Sequence, residues 1–361
     1  MLDRNSPVPL YLQIREQILE LIEQEDFDSE QSLPPETKLA ADYEVSVMTV
    51  RQAYAQLVKE GVLYRIPGKG TFLKSNEREL SHNLAILTYA IERINHPFTA
   101  GVISSIRQAL EKAKLKHGIF LDTFKEDLFY KNLVKPDKVD GLFIIGQEMT
   151  EEDVARWGSY ALPMVLLYYP YPIEGASVIA LDGENSIKQA VNYLVKLGHT
   201  KIGFVGGFLE YPLDQQKLAG FRLALKNNHL TLREDWIIDG RYDSEIVSKA
   251  LEPILSGPER PTAIIAADDL MAMDCIYTAE RLNISVPDNL SVIGFGEIGA
   301  PVGISYGLTT LRIPWEKMGE RSVQMMRELL HGAAEPHFEA YQAELVVRNS
   351  CAQLKSSTKV G

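Results

Sequence analysis

Residues 33–73 read LPPETKLAADYEVSVMTVRQAYAQLVKEGVLYRIPGKGTFL, and this stretch decides the fold of the N-terminal part. The two prolines near its start break the chain ahead of a short helix. Ser46 then follows a tight turn and is well placed as the N-cap of a longer helix. That helix is predicted to end at Gly61. Its buried face is predicted to comprise Val50, Tyr54, Leu57 and Val58.

The segments on either side of these two helices complete one domain. Upstream, apolar residues recur at helical spacing over residues 9–25, which predicts a first amphipathic helix. Downstream, residues 62–65 and 71–73 are predicted to pair as a hairpin whose tip contains glycines. Three helices followed by a hairpin describe a winged helix-turn-helix, an α+β fold whose third helix enters the major groove of DNA.

The same residues resemble a known DNA-binding family. The pieces PLYLQI, LPPETKLAADYEVS, TVRQAYAQLVKEG and GKGTF follow, in order, the signature of the GntR family over about residues 7–73. The resemblance implies DNA contacts at Glu36, Val47, Met48, Thr49, Arg51, Gly68, Lys69, Gly70 and Thr71. This chain has Thr37 and Val47 where the family usually has arginine. We therefore expect an unusual operator or weaker DNA affinity, with apolar contacts to thymine methyl groups from Val47 or Met48.

The charge distribution favours the same surface. The net charge of the chain is −12, which by itself argues against a nucleic-acid partner. Residues 1–45 hold three Lys and Arg against eleven Asp and Glu, a net of −8. Residues 46–74 hold five against one, a net of +4. A local cationic patch on an acidic protein directs DNA to one face, although an ordinary solvated face would have the same charges.

Beyond a polar linker at residues 75–82, the pattern changes to strands that alternate with helices. Buried parallel strands are predicted in LAILTYA, KHGIFLDTF, DGLFIIG, PMVLLYY, SVIALD, KIGFVGG, TAIIAAD and LSVIGFG. Amphipathic helices such as ENSIKQAVNYLVKLG lie between several of them. This alternation predicts an α/β fold with parallel sheets, in which ligands bind at the carboxyl ends of the strands.

This second part resembles the sensor domain of the LacI family. The matching pieces include HPFTAGVISSI, VKLGHTKIGFVGG, RPTAIIAADDLMA, LTTLRIPWEKMG and AELVVRNSC. The resemblance implies two Rossmann-like lobes of the type I periplasmic-binding-protein fold, with ligand between them, and a homodimer. We expect a DNA-binding domain at 1–74 and a sensor at 83–361. Lobe one would take about 83–181 and 312–338, and lobe two about 182–311 and 339–351. A GntR-type head on a LacI-type sensor resembles the arabinose-repressor subfamily.

The LacI resemblance also implies a ligand site. Its expected members are Phe98, Tyr168, Tyr211, Lys217, Asp268, Glu297 and Trp315. Tyr168 ends a strand where side chains are expected to point into the cleft. Lys217 stands for the family's arginine and Asp268 for its asparagine, and Gly296 replaces one carboxylate. Carboxylates that face a sugar accept hydroxyl hydrogen bonds, which favours a neutral polyol. Phe98 could instead pack in the core, and Lys217 could instead form a plain ion pair. Asp182 is better explained as an N-cap than as a ligand contact.

Other classes of function find less support. The first residues lack the apolar core of a secretory signal, no run of about 18 apolar residues exists, and Cys275 and Cys351 have no metal-ligand spacing. We therefore expect a cytoplasmic regulator, most simply a repressor, with operator DNA and a small carbohydrate as partners. No cofactor, metal or catalytic residue is expected. A carbohydrate-active enzyme and a sugar-binding transport component are the alternatives.

Overall fold

A computed structural model gives the structure of the chain. It describes residues 8–25, 32–60, 62–66, 70–73, 83–88, 96–115, 117–121, 139–146, 149, 162–297, 307–332 and 335–354. The chain separates into two compact units, Met1–Leu80 and Ser81–Gly361. We refer to them as the head and the sensor.

The head is the predicted winged helix-turn-helix, which the structure confirms. Helices α1 (Leu10–Glu25), α2 (Glu36–Asp42) and α3 (Val47–Lys59) precede strands β1 (Leu63–Ile66) and β2 (Gly70–Leu73). The two strands pair antiparallel. Apolar side chains from all three helices and from β1 form a single core.

One side chain of α3 departs from its predicted place. Val50, Tyr54 and Leu57 are buried as expected, but Val58 is exposed. Ala53 takes the remaining buried position. The physical reason is the period of 3.6 residues, which places 50, 53, 54 and 57 on one stripe and rotates 58 beyond its edge. Ser46 caps the helix as predicted, because its hydroxyl accepts a hydrogen bond from the Thr49 amide at 3.1 Å.

Lobe one of the sensor is built on a six-stranded sheet. Its strands are β3 (Leu84–Thr88), β4 (His117–Leu121), β5 (Gly141–Ile145), β6 (Met164–Leu167), β7 (Ser177–Leu181) and β13 (Phe338–Tyr341), in the order β13-β7-β6-β5-β3-β4. Helix α4 (Pro97–Lys112) packs on a helix that returns from later in the chain, α9 (Trp315–Leu330). These helices touch at Gly319, where a Cβ atom would lie 2.6 Å from the carbonyl oxygen of Ser105.

Lobe two has the same design. Its strands are β8 (Ile202–Gly206), β9 (Ile237–Asp239), β10 (Ala263–Ala266), β11 (Ser291–Gly296), β12 (Thr309–Arg312) and β14 (Glu344–Val346), in the order β14-β12-β11-β10-β8-β9. Its helices are α5 (Gly183–Lys196), α6 (Pro212–Asn227), α7 (Ser244–Ser256) and α8 (Asp269–Arg281). All of its strand pairs are parallel except β12 with β14.

The chain passes between the lobes after Leu181, after Arg312 and after Tyr341. The last crossing lies later than the expected boundary at residues 338 and 339. The reason is that Phe338–Tyr341 pairs with Ser177–Leu181 and extends the sheet of lobe one. Both cysteines are free thiols. Within the part of the chain that the structure describes, no helix is long and apolar enough to cross a membrane.

Candidate DNA-binding surface and ligand site

The predicted DNA-contact residues lie on α2, on the first turns of α3 and on β2. Met48 is 59% exposed, and Val47 and Thr49 are half-buried beside it. Gly70 begins β2 with a φ of 136°, which only glycine adopts readily. Thr71 is buried, and its carbonyl accepts a hydrogen bond from the Leu33 amide at 2.7 Å. Its side chain therefore packs inside the head, contrary to the expected contact.

Gly68 and Lys69, the remaining predicted contacts at the wing tip, lie outside the described residues, as does Gly61.

Glu36 is bound to two arginines. Its Oε2 accepts a hydrogen bond from Nε of Arg51 at 2.9 Å, and its Oε1 accepts one from Nη2 of Arg65. Partial burial opposes ionisation of Glu36, but the hydrogen bonds and charges of the two arginines outweigh it and keep the pKa of the carboxyl below its usual value. Glu36 was expected to contact DNA itself. In the structure its carboxylate instead pairs with Arg51 of α3 and Arg65 of the wing strand.

Arg65 is a surface residue that the sequence reasoning missed. It lies on β1, opposite Thr71, and its side chain is 48% exposed. The alternation of a strand could have indicated its position, because residues 63 and 65 share one face and Leu63 is buried against the helices. Arg65 follows Leu63 on that face and so reaches α2.

Lobe one contributes an aromatic cluster to the ligand site. The ring of Phe98 lies 5.0 Å from that of Tyr168 and 5.3 Å from that of Trp315, both edge to face. Nε1 of Trp315 donates to the carbonyl of Gly296 at 3.1 Å. Tyr168 is fully buried, with its hydroxyl 3.7 Å from Sδ of Met318, and burial raises the pKa of its phenol. Tyr168 therefore supports the other rings, rather than pointing into the cleft as expected.

Lobe two contributes a buried ionic network. Nζ of Lys217 donates to Oδ1 of Asp214 at 3.0 Å and to the carbonyl of Ala267 at 3.2 Å. It also lies 4.7 Å from the ring centroid of Phe295. The Tyr242 hydroxyl lies 2.9 Å from both oxygens of Asp214. Lys217 is 2% exposed. Of the two interpretations that the sequence left open, the ion pair is therefore the one realised.

Asp268 lies where the lobes meet. Its Oδ1 accepts a hydrogen bond from the Met271 amide at 2.7 Å and so caps α8. Its Oδ2 lies 3.0 Å from Nε2 of His96, which belongs to lobe one. This is an ion-pair distance, but among the described residues Oδ2 is buried and has no hydrogen-bond partner. This oxygen is a strong acceptor that faces the opposite lobe.

Two further residues at this junction were missed by the sequence reasoning. The rings of His96 and Tyr242 lie 5.5 Å apart, edge to face, and they come from opposite lobes. Tyr242 has a φ of 54° and the preceding Arg241 a φ of 51°, conformations that side chains other than glycine rarely adopt. No spacing in the sequence indicated that Tyr242 reaches Asp214. Both contacts depend on how the loop after β9 is placed.

The other predicted site residues lie near the same edge of lobe two. Glu297 is bound by Arg312 and Arg348. The hydrogen bond from Arg312, followed by that from Arg348, keeps the pKa of Glu297 below its usual value despite partial burial. Tyr211 precedes α6, and its ring lies 4.8 Å from that of Phe208. Asp182 is the N-cap of α5, as the sequence favoured, and accepts the Asn185 amide at 2.9 Å.

Family models match both units. Residues 10–73 match the model described as bacterial regulatory proteins of the gntR family, and residues 191–351 match the periplasmic binding protein-like domain. The chain therefore carries a gntR-type DNA-binding domain followed by a periplasmic-binding-protein-like domain. This pairing defines a transcriptional regulator in which a DNA-binding head is joined to a ligand-binding sensor.

Curated relatives and solved structures agree with this class. The chain is 29% identical over 224 residues to the HTH-type transcriptional repressor PurR of Vibrio vulnificus (strain CMCP6), covering 61% of this chain and 67% of the relative. It is 27% identical over 280 residues to PurR of Escherichia coli O139:H28, covering 72% and 82%. The chain is thus a regulator similar to the PurR repressors.

The solved structures show the same fold for the sensor. A LacI-family regulatory protein from Chloroflexus aggregans matches with a TM-score of 0.66 at 20% identity, covering 76% of this chain and 99% of that one. The transcriptional regulator CelR in complex with cellobiose matches with a TM-score of 0.66 at 19% identity, covering 85% and 92%. An Enterococcus faecium LacI-family regulator with bound ribose matches with a TM-score of 0.65 at 18% identity, covering 76% and 100%. These likenesses confirm the predicted type I periplasmic-binding-protein fold.

Proposed function

We propose that this protein is a cytoplasmic transcriptional repressor whose operator affinity is controlled by a small, neutral, hydroxyl-rich molecule held between the two lobes of the sensor. The observation that carries the proposal is the buried Oδ2 of Asp268, which faces lobe one across the junction. A buried carboxylate oxygen is costly unless a donor reaches it. A hydroxyl group of a bound ligand is such a donor.

The charge of the site favours a neutral ligand over an anionic one. Lys217 is already neutralised by Asp214. Arg312 and Arg348 share the carboxylate of Glu297, and Glu344 adds a second negative charge near Arg312. A phosphate or carboxylate on the ligand would have to compete for these cations while lying near Asp268. The Phe98 and Trp315 rings add an apolar surface on which a sugar ring can stack. The cellobiose and ribose bound to the two structural neighbours are ligands of this class.

The route from ligand to DNA is a change in the relation between two heads of a homodimer. Ligand that contacts both lobes stabilises their closed arrangement, and the partner subunit transmits the movement to the second head. The required coupling free energy is about 1–3 kcal/mol.

An enzymatic role has less support at this site. Asp214, Lys217 and Glu297 are engaged in ion pairs, and Asp268 caps a helix. A nucleophile held by a general base is not found among the predicted site residues. The presence of a DNA-binding head also argues against a sugar-binding transport component. The proposal also includes a DNA-binding domain at 1–74, a sensor at 83–361 and a resemblance to the arabinose-repressor subfamily. Its DNA contacts are Val47, Met48, Thr49, Arg51, Gly68, Lys69 and Gly70.

The test combines ligand screening with DNA release. The purified protein is screened by thermal shift against pentoses, hexoses, disaccharides, polyols and sugar phosphates. A ligand at about 100 times its Kd adds roughly 2.7 kcal/mol to the stability of the sensor. Each hit is then titrated into a complex with a DNA duplex that the protein itself has selected from a random library. We expect a neutral sugar to change DNA affinity by at least about 5-fold.

Two results would contradict the proposal. Stabilisation by sugar phosphates alone would overturn the ligand class. A neutral sugar that stabilises the protein and leaves DNA affinity unchanged would overturn the regulatory mechanism. A turnover assay on each hit, with product analysis, separates binding from catalysis.

A further inference from the structure

The two arginines on Glu36 come from different parts of the head. Arg51 belongs to α3, the predicted recognition helix, and Arg65 belongs to β1 of the wing. Both reach the same carboxylate, one on each oxygen. The structure therefore joins the helix and the wing strand through a single acidic side chain of α2.

This arrangement leaves a net positive charge at the surface. Two guanidinium groups and one carboxylate sum to a single positive charge, and the side chains of Arg51 and Arg65 are 54% and 48% exposed. Glu36 is the least exposed of the three. Each guanidinium has five N–H donors in a planar fork, so each keeps donors beyond those that Glu36 receives. Phosphate is the anion whose geometry such a fork matches best on DNA.

The turn that carries Glu36 is itself fixed. The Tyr54 hydroxyl donates to the Pro34 carbonyl at 2.7 Å, and the Leu33 amide donates to the Thr71 carbonyl of the wing. The first bond ties the turn to α3 and the second ties it to β2. Glu36 is therefore held at a defined place between the recognition helix and the wing.

We infer that Arg65 is a phosphate-binding residue of the head and that Glu36 is a positioning residue that holds Arg65 and Arg51 in register. Arg65 supplies from the wing strand a cation that the chain lacks at Thr37 and Val47. Glu36 makes the pair of arginines selective, because it fixes where both guanidinium groups stand and cancels one of their charges. The inference rests on DNA binding by the head and is independent of the effector.

The test uses the full-length protein and two duplexes of equal length, one selected by the wild-type protein from a random library and one of arbitrary sequence. Binding is measured between 50 and 200 mM salt. Arg65→Ala should weaken binding to the selected duplex by about 10-fold for each head. It should also reduce the log–log salt slope by about 0.9 for each head. Arg65→Lys should keep the slope, because it keeps the charge.

The matched control is Arg15→Ala. Arg15 is also an arginine of the head that pairs with glutamates, Glu16 beside it on α1 and Glu60 at the C-terminal end of α3. Its removal should leave the salt slope unchanged. A partly unfolded sample lowers the apparent affinity and not the slope, so the slope separates loss of contact from loss of fold. An unchanged slope in Arg65→Ala overturns the phosphate contact. Failure of the wild-type protein to select any duplex would count against DNA binding itself.

The role of Glu36 has its own signature. Glu36→Gln removes a negative charge and frees the arginines, so affinity for the arbitrary duplex should stay equal or rise while affinity for the selected duplex falls by about 10-fold. Equal losses on both duplexes would show that Glu36 serves only the stability of the head.

Discussion

The two lobes of the sensor meet the ligand site with different chemistry. Lobe one presents aromatic rings, Phe98 and Trp315 supported by Tyr168, which contact one another edge to face or tilted. Lobe two presents charged groups, Asp214 with Lys217 and then Asp268, in buried positions. The stabilisation from buried rings depends mainly on their apolar area and tolerates small shifts within the preferred geometries, whereas buried charges demand defined partners. Lobe two is therefore the side that fixes ligand orientation, and lobe one is the side that adapts.

The largest expected effect comes from breaking the ion pair of lobe two. Lys217→Met leaves the buried Asp214 carboxylate without its cation, and we expect the free energy of unfolding to fall by about 3–5 kcal/mol. Urea denaturation of the purified protein measures it. The double variant Asp214→Leu with Lys217→Met removes both charges and should recover part of the loss. If Lys217→Met lowers the free energy of unfolding by less than about 1 kcal/mol, the buried charges of lobe two are not more demanding than the rings of lobe one.

A smaller effect is expected from the aromatic side. Trp315 is half-buried and packs on Phe98 and Tyr168, so Trp315→Ala should lower the free energy of unfolding by about 2–3 kcal/mol. Trp315→Phe keeps a ring but loses the donor to the Gly296 carbonyl, and should lower it by only about 1 kcal/mol. Urea denaturation measures both losses. If they are equal, the hydrogen bond rather than ring packing stabilises this side.

Asp268 should separate ligand binding from stability. Asparagine caps a helix about as well as aspartate and carries no buried charge, so Asp268→Asn should leave the free energy of unfolding unchanged or raise it by about 1 kcal/mol. The same change replaces a charged acceptor by a neutral one, and affinity for a neutral sugar should fall by about 10- to 100-fold. Calorimetric titration with the sugar found by screening measures it. His96→Ala is the corresponding variant on the lobe-one side of the junction. If Asp268→Asn leaves the affinity for the sugar unchanged, the ligand binds elsewhere.

The smallest effect concerns pH and a buried histidine of lobe two. His199 contacts Thr262, Ser291 and the Ala352 carbonyl. Burial lowers the pKa of His199 below its usual 6.5, although the bond to Ala352 opposes this. The unfolded chain then binds the proton at higher pH than the folded protein does. The free energy of unfolding should therefore be constant above pH 6.5 and fall as the pH drops below it.

Denaturation at several pH values between 5.5 and 7.5 checks this dependence. His199→Gln should flatten it, whereas replacement of the exposed His229 by glutamine should not. An identical slope in wild-type protein and His199→Gln would assign the pH dependence to another group.

The sequence predicted most of the fold because its core strands are continuous apolar runs. Each of the eight runs contains a strand of one of the two sheets. Three of the strands that it missed are short edge strands, Ile237–Asp239, Phe338–Tyr341 and Glu344–Val346, whose burial is partial and whose period is too brief to detect. The fourth, Thr309–Arg312, is an interior strand, but its polar threonines hide it from a search for apolar runs. The resemblance to two families supplied the division of the sensor into two lobes, which residue patterns alone do not give.

The site was predicted less completely, for a physical reason. A sequence shows which residues carry charge, but not which of them are already paired. Glu297 was expected to face ligand and Lys217 was a candidate for it, and both are held by partners within lobe two. Tyr242 reaches Asp214 across 28 residues, and His96 reaches Asp268 from the other lobe. Such contacts depend on loop placement and domain packing.

The late strand of lobe one has a consequence for how the protein is made. A ribosome finishes β3 to β7 early, but the helix Trp315–Leu330 and the strand Phe338–Tyr341 emerge only after nearly all of lobe two. Lobe one therefore remains incomplete while lobe two is being synthesised, and during that time one helix face and one sheet edge are uncovered. A premature stop codon near the end of the gene would accordingly leave both lobes incomplete. Expression of either lobe as one continuous fragment would leave an open sheet edge that invites aggregation.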